Sequence, residues 1–481
     1  MSDELSRLAR AALLPGFAGA TAPRWLLDEL ERGLGGVTLF AINGNVRGTD
    51  ELAALTAAMR TAANAPIVTI DEEGGDVTRL GGHVVASPYP GNAALGAADD
   101  PELTRRVYRS LGAELAQVGV TLNFAPSVDV NTADDNPVIG TRAFGSDPEL
   151  VARHAAAAVT GTQEAGVAAC AKHFPGHGAT VQDSHLAVPL VDADAGLLDR
   201  RELVPFRAAI AAGVRAVMTA HLNVPAYAPG VPATLAPEVI TGLLRERLGH
   251  QGVIVTDALD MDGASGAIGI PEAAVRALIA GVDLLCLGPR EHEESLLAVV
   301  AAIEAAVRAG RLPLERLADA AARTAKLVPA PPAFGTAVDR DAGLDGARRA
   351  LRVTGELAGF SGTPLVVELA ASGNIAVGPT PWGLAPYAAE AVRAEGAARE
   401  APGLLDRASG RGLVIVLRDA HRHEGQRTLA TALLAERPDA VLVEMGLPVW
   451  RPEGAVHVAT FGATDANARA TAELLGLTAT G

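Results

Sequence analysis

The chain has 481 residues, more than a single hydrophobic core usually holds, so two domains are expected. Acidic residues outnumber basic ones 56 to 40, a net charge of -16 with no basic run interleaved with aromatics, which argues against nucleic acid as a partner. Two cysteines exclude a disulfide framework, no apolar run approaches a membrane span, and the acidic N-terminus lacks the features of a secretory leader, so a cytoplasmic enzyme or binding protein is expected.

Short apolar runs recur through the first half with helical stretches between them. They fall at 11–17, 35–40, 65–71, 120–130, 167–174, 215–223, 252–259 and 283–288. Each is nearly continuous in hydrophobicity, as parallel strands covered on both faces must be. Between the third and fourth, Leu103, Val107, Leu111 and Leu115 recur at helical spacing, and Gly119 ends the pattern. Eight strand–helix units predict a (β/α)8 TIM-type barrel over residues 1–328. A proline-rich stretch opens a linker at 329–344. Beyond it, "PLVVELA", "NIAVGP", "GLVIVLRD", "DAVLVEMG" and "AVHVATFG" alternate with Ala-rich helical stretches, predicting a smaller layered α/β domain at 345–481. That second half offers no evident cluster of reactive side chains, and packing support is its expected role.

In such a barrel the C-terminal strand ends carry the chemistry. There stand Asp71, Asp129, Lys172 with His173, His221 and Asp257, one ionisable group or pair ending each strand from the third to the seventh. Asp71 and Asp129 also suit plain helix capping. Lys172 and Lys326 are the only lysines in a chain rich in arginine, so retention of the first calls for a reason. The loop after it, "KHFPGHGATVQDSH", admits two chemical readings. His173, His177, Asp183 and His185 resemble a metal set, but Pro175 and Gly176 prevent a helix from aligning the first two, and no metal is expected. Asp183 and His185, two apart on a loop, suit a dyad in which the carboxylate orients an imidazole that moves protons. A plain loop histidine is the simpler alternative.

Taken in order, "IDEEGGDVTRL" (70–80), "NFAPSVDVN" (123–131), "VIGTRAFG" (138–145), "KHFPGHG" (172–178) with "DSH" (183–185), "MTAHLNVP" (218–225) and "VTDALDMDGA" (255–264) resemble glycoside hydrolase family 3, in its β-N-acetylglucosaminidase branch. The resemblance implies a retaining glycosidase without cofactor or metal. Asp257 would be the nucleophile and His185 the acid/base assisted by Asp183. Asp71, Arg142, Lys172 and His173 match the residues that hold sugar hydroxyls. The implied substrate is a GlcNAc-containing saccharide, drawn from cell-wall recycling or chito-oligosaccharides. Phosphate as the acceptor, giving a phosphorylase, is the nearest alternative; a degenerate sugar-binding protein and a metal-dependent hydrolase are further ones. Two positions depart from the pattern. Asp76 stands where a basic residue is common, and Thr141 where an acidic residue often precedes the arginine, so substrate choice stays open.

Overall fold

The computed structural model describes residues 2–63, 65–80, 87–182, 188–289, 292–327, 337–360, 362–371, 376–378 and 380–477. The chain forms two compact units, each discontinuous in sequence. The first comprises Met1–Glu72, Tyr108–Asn136 and Ser146–Val338; the second comprises Glu73–Val107, Pro137–Gly145 and Asp339–Gly481.

In the first unit each of the eight apolar runs contains a strand: β1 (Leu13–Pro15), β2 (Gly36–Leu39), β3 (Ile67–Ile70), β4 (Leu122–Asn123), β5 (Ala168–Phe174), β6 (Ala216–Thr219), β7 (Val253–Thr256) and β8 (Leu285–Gly288). Strands β2 to β7 are hydrogen-bonded in that order, all parallel, and β1 pairs in parallel with β8. One side chain in two, among them Ile67, Leu122, Cys170, Met218, Val255 and Cys286, enters a common core. The alternate residues Val68, Val217 and Ile254 are equally buried, which is why the runs show no polar face. Helices fill the connections by local rules. Pro148 opens the helix Pro148–Glu164 behind Asp147, whose carboxylate accepts the Glu149 and Leu150 N–H groups, and Gly166 follows its end.

The second unit is built on a six-stranded sheet of β9 (Arg352–Thr354), β10 (Leu365–Leu369), β11 (Ala391–Ala394), β12 (Leu413–Leu417), β13 (Val441–Glu444) and β14 (Val456–Ala459). The order is β11-β10-β12-β13-β14-β9, with only β9 antiparallel. Leu365, Val367, Ile415 and Leu442 pack on one face, Val366, Val414, Val416 and Val443 on the other. Strands β9 and β11 were not readable as apolar runs, because both are sheet edges whose residues, Ala394 apart, stay partly or wholly exposed. Of "NIAVGP", Ala376 and Val377 lie in a turn, and 374, 375 and 379 fall outside the described residues. The helix Arg340–Ala350 begins inside the stretch read as a linker. Among the described residues, no helix is long and apolar enough to cross a membrane.

Candidate active site

Strand β5 ends in Lys172 and His173, and its backbone is tied to the segment after β4: Lys172 N–H donates to Pro126 O at 3.1 Å, and Val128 N–H to Lys172 O at 2.6 Å. The Lys172 side chain is 1% exposed, with Nζ 2.6 Å from Asp71 Oδ1 at the end of β3. An ammonium is buried only at high cost unless paired, so Asp71 acts here as its counter-ion rather than as a helix cap. Asp71 itself is 27% exposed, which leaves the pair reachable from one side.

Asp129 is the hub of the next loop. Its fully buried carboxylate accepts His173 Nδ1 at 2.7 Å, His173 N–H at 3.3 Å, His177 N–H at 2.7 Å and Ser127 Oγ at 2.9 Å. Burial acts to raise its pKa, but the imidazoles of His173 and His177 and the bonds they donate hold it well below the usual carboxylate range. A carboxylate only accepts, so the His173 proton sits on Nδ1 and Nε2 is the acceptor nitrogen in the neutral ring. His177 Nδ1 is 2.8 Å from Thr180 Oγ1. The two imidazoles meet edge to face with centroids 6.1 Å apart, and among the described residues no group of three or more His, Cys, Asp or Glu side chains is placed to hold a metal.

Glycines let this loop fold tightly. Gly176 has φ +129°, and a Cβ there would stand 2.4 Å from Glu202 Cγ; at Gly178 it would stand 2.0 Å from Val130 O. Glu202, beneath the loop, pairs with Arg201 Nε at 2.7 Å, yet burial keeps its carboxyl pKa raised. Asp183 and His185, which would complete the dyad, lie outside the described residues.

Asp257 follows β7 and is half-buried. Its N–H donates to Thr219 O at 3.1 Å and its Oδ1 accepts Ala258 N–H at 2.8 Å. Buried His221 grips the same segment, with Nε2 donating to Ala258 O at 3.0 Å while Nδ1 lies 2.9 Å from Thr234 Oγ1. Two buried thiols report on the wider arrangement. Burial pushes Cys170 and Cys286 up, and the charges of Asp71 and Asp257 add to this at both, opposed at Cys170 by Lys172. Asp71 and Asp257 thus act on both thiols, and Lys172 on Cys170, from one end of the strands.

Arg142 belongs to the second unit, at the end of the 3-10 turn Gly140–Arg142. Its guanidinium forks onto Glu73, Nε to Oε2 at 3.0 Å and Nη2 to Oε1 at 2.7 Å, while Nη1 donates to Val138 O at 3.1 Å. Both side chains are almost fully buried. The sequence reading singled out Arg142 but not Glu73, although "DEEGG" contains it; two adjacent acids gave no means of telling which would pair. For Asp129 the sequence offers a strand-end acid or a helix cap, and a lone strand-end Asp looks the same whether it caps a helix or organises a loop.

Comparison with known proteins places this arrangement. Residues 20–327 match the family described as Glycosyl hydrolase family 3 N terminal domain. Beta-hexosaminidase A of Pseudoalteromonas piscicida is 35% identical over 336 residues, covering 64% of this chain and 56% of that protein, so the chain spans just over half its length. Beta-hexosaminidase of Stenotrophomonas maltophilia (strain K279a) is 37% identical over 294 residues, 60% of this chain and 86% of that one. Among solved structures, a glycoside hydrolase family 3 β-N-acetylglucosaminidase from Paenibacillus sp. str. FPU-7 superposes with a TM-score of 0.86 at 33% identity, covering 99% of this chain and 97% of that one.

Proposed function

Since this chain belongs to glycosyl hydrolase family 3, we propose that it is a retaining β-N-acetylglucosaminidase that releases terminal β-linked GlcNAc. The observation that carries the reading is Asp257: a half-buried carboxylate at the end of β7, one oxygen held by the Ala258 N–H, acting on the same two buried thiols as Asp71, the partner of Lys172. In this reading the second Asp257 oxygen attacks the anomeric carbon as the bond to the leaving oxygen breaks. His185, oriented by Asp183, gives its proton to that oxygen. Water then attacks the glycosyl–Asp257 ester, its proton passes to His185, and Asp257 departs. An imidazole with an ordinary pKa near 6.5 can act in both directions near neutral pH.

Asp71, Lys172 and His173 are assigned to sugar hydroxyls in this reading, as is Arg142 from the family match alone. The compact ammonium of Lys172, buried against Asp71, donates in several directions from one point, which a planar guanidinium does not. Closure of the eight strands into one barrel belongs to the same reading. It is supported by the Val255–Leu284 bridge on the β8 side and by Gly35 N–H donating to Arg10 O at 3.0 Å beside β1. So do a cytoplasmic setting and a saccharide from cell-wall turnover.

The test is to incubate the protein with an aryl β-N-acetylglucosaminide, with and without phosphate, and to label it with a slow fluorinated analogue. Free N-acetylglucosamine in both conditions and a covalent label on Asp257 are expected. Sugar 1-phosphate as the main product would make the protein a phosphorylase. A label on Asp260 or Asp129 would displace Asp257, although Asp129 is fully buried and already accepts four donors.

A further inference from the structure

The turn that carries Arg142 is held from the C-terminal half of the chain. Asp76 Oδ2 accepts Thr141 Oγ1 at 2.7 Å and lies 3.2 Å from Arg418 Nη2, while Asp76 Oδ1 accepts Ala463 N–H at 3.2 Å. Asp76 and Arg418 are both buried. The two positions at which the sequence departs from its family's charge pattern, 76 and 141, are therefore in contact, and the cation near them comes from residue 418. Asp76 also shares a short turn with Glu73, closed by Glu73 N–H donating to Val77 O at 3.0 Å. Two ties thus join the same pair of turns, Glu73 to Arg142 and Asp76 to Thr141.

Arg418 is itself fixed. It follows β12, its N–H donates to Gln426 Oε1 at 3.0 Å, and Gln426 Nε2 returns to Arg418 O at 3.2 Å and to Ala370 O at 3.1 Å. Its guanidinium carbon lies 5.7 Å from the centre of the Trp382 ring. Two buried carboxylates, Glu73 and Asp76, here face two guanidiniums, Arg142 and Arg418. Without Arg418, Asp76 would keep its buried charge without that partner, and a buried charge without its partner is the costly arrangement.

We infer that Arg418, Asp76 and Thr141 form a positioning relay that sets the orientation of Arg142, so the C-terminal sheet tunes sugar recognition through one buried ion pair. This rests on the assignment of Arg142 to a sugar hydroxyl. Arg418→Met should lower kcat/KM by about tenfold, and Thr141→Val by a smaller factor, with circular dichroism unchanged. Two results would separate the relay from general packing. First, the Arg418→Met loss should vanish in an Arg142→Ala background, because a residue acting through Arg142 has nothing left to act on. Second, adding Asp76→Asn to Arg418→Met should restore part of the activity, since the amide oxygen still accepts from Thr141 without needing a counter-charge, while the bond from the Ala463 N–H is given up. Additive losses, or no recovery in that double variant, would overturn the inference. Hydrogen exchange in residues 138–145 supplies a readout independent of any substrate. It should quicken in Arg418→Met and in Thr141→Val, and unchanged exchange in both overturns the relay whatever the reaction. Full activity of Arg142→Ala would instead strike at its sugar-binding assignment and leave exchange to judge the relay.

Discussion

Replacing Asp129 with alanine removes the carboxylate that organises the loop between β5 and the proposed dyad. Four donors lose their acceptor: His173 Nδ1, the His173 and His177 N–H groups and Ser127 Oγ, at 2.7 to 3.3 Å. Each donor left buried without a partner costs about 1–3 kcal/mol, and the four overlap rather than add because some can re-pair. The first unit should therefore lose about 3–5 kcal/mol, a fall of roughly 10 °C in its melting temperature. Asp129→Asn should lie between, because it retains the shape and one acceptor. The pH dependence carries a sign. The pKa of Asp129 is lower folded than unfolded, so its contribution is present above the unfolded value near 4 and is lost only as pH falls further, through the folded value. The gap between parent and Asp129→Ala should therefore be flat from about pH 5 to 8 and shrink under stronger acid. Thermal melts by circular dichroism at several pH values, alongside turnover of an aryl glycoside, provide the assay. A variant that melts within about 2 °C of the parent at pH 7 would refute the reasoning.

Lys172→Arg should lower kcat/KM by about a hundredfold, since a longer planar group cannot replace an ammonium buried 2.6 Å from Asp71; activity within twofold of the parent in steady-state assays would make Lys172 an ordinary strand-end charge. Burial holds His250 down to about 4, so the first unit should lose stability as pH falls from about 6.5 through 4, by up to roughly 3 kcal/mol from this residue. Melts of His250→Asn should be flatter across that window, and an identical slope would count against the assignment. Burial, then the charge of Asp419, push Glu444 up to about 8, which reverses the sign: its stabilising contribution is complete below about 4.5 and lost as pH rises through 8. Asp419→Asn keeps an acceptor for the Leu447 N–H at 3.0 Å and should reduce the alkaline loss seen in melts of the second unit.

The strands of the first unit were legible because burial on both faces writes them as unbroken apolar runs, and the residues closing those runs could be picked out in the same way. Asp71 and Lys172 stood at two such ends and are found paired. What the sequence did not disclose was partnership. Nothing in "DEEGG" says that its second glutamate takes Arg142, and nothing near residue 129 says that its carboxylate collects two backbone N–H groups, one from the end of β5 and one from the loop after it. Such bonds depend on where loops meet, and loops have no periodicity to read. The edge strands β9 and β11 escaped for a related reason, since half-exposed strands lack the uniform burial that marked the others. The contact between positions 76 and 141 was present only as two separate oddities.

The discontinuity of the second unit bears on how the chain is made. Residues 137–145 leave the ribosome long before Arg418 and Ala463, the groups that hold their neighbour Asp76. At about 5–20 residues per second, the interval from Gly145 to Ala463 is roughly 15 to 60 s. During that time Tyr89 and Leu95, buried in the finished protein, belong to a segment whose C-terminal partners do not yet exist. The strands of the first unit can begin to pair while translation continues, but Asp76, which holds Thr141 in the Arg142 turn, acquires Arg418 and Ala463 only late in synthesis. Assembly therefore finishes with a long-range closure rather than with the last local helix, which makes the nascent chain a natural client for chaperones that shield apolar surface.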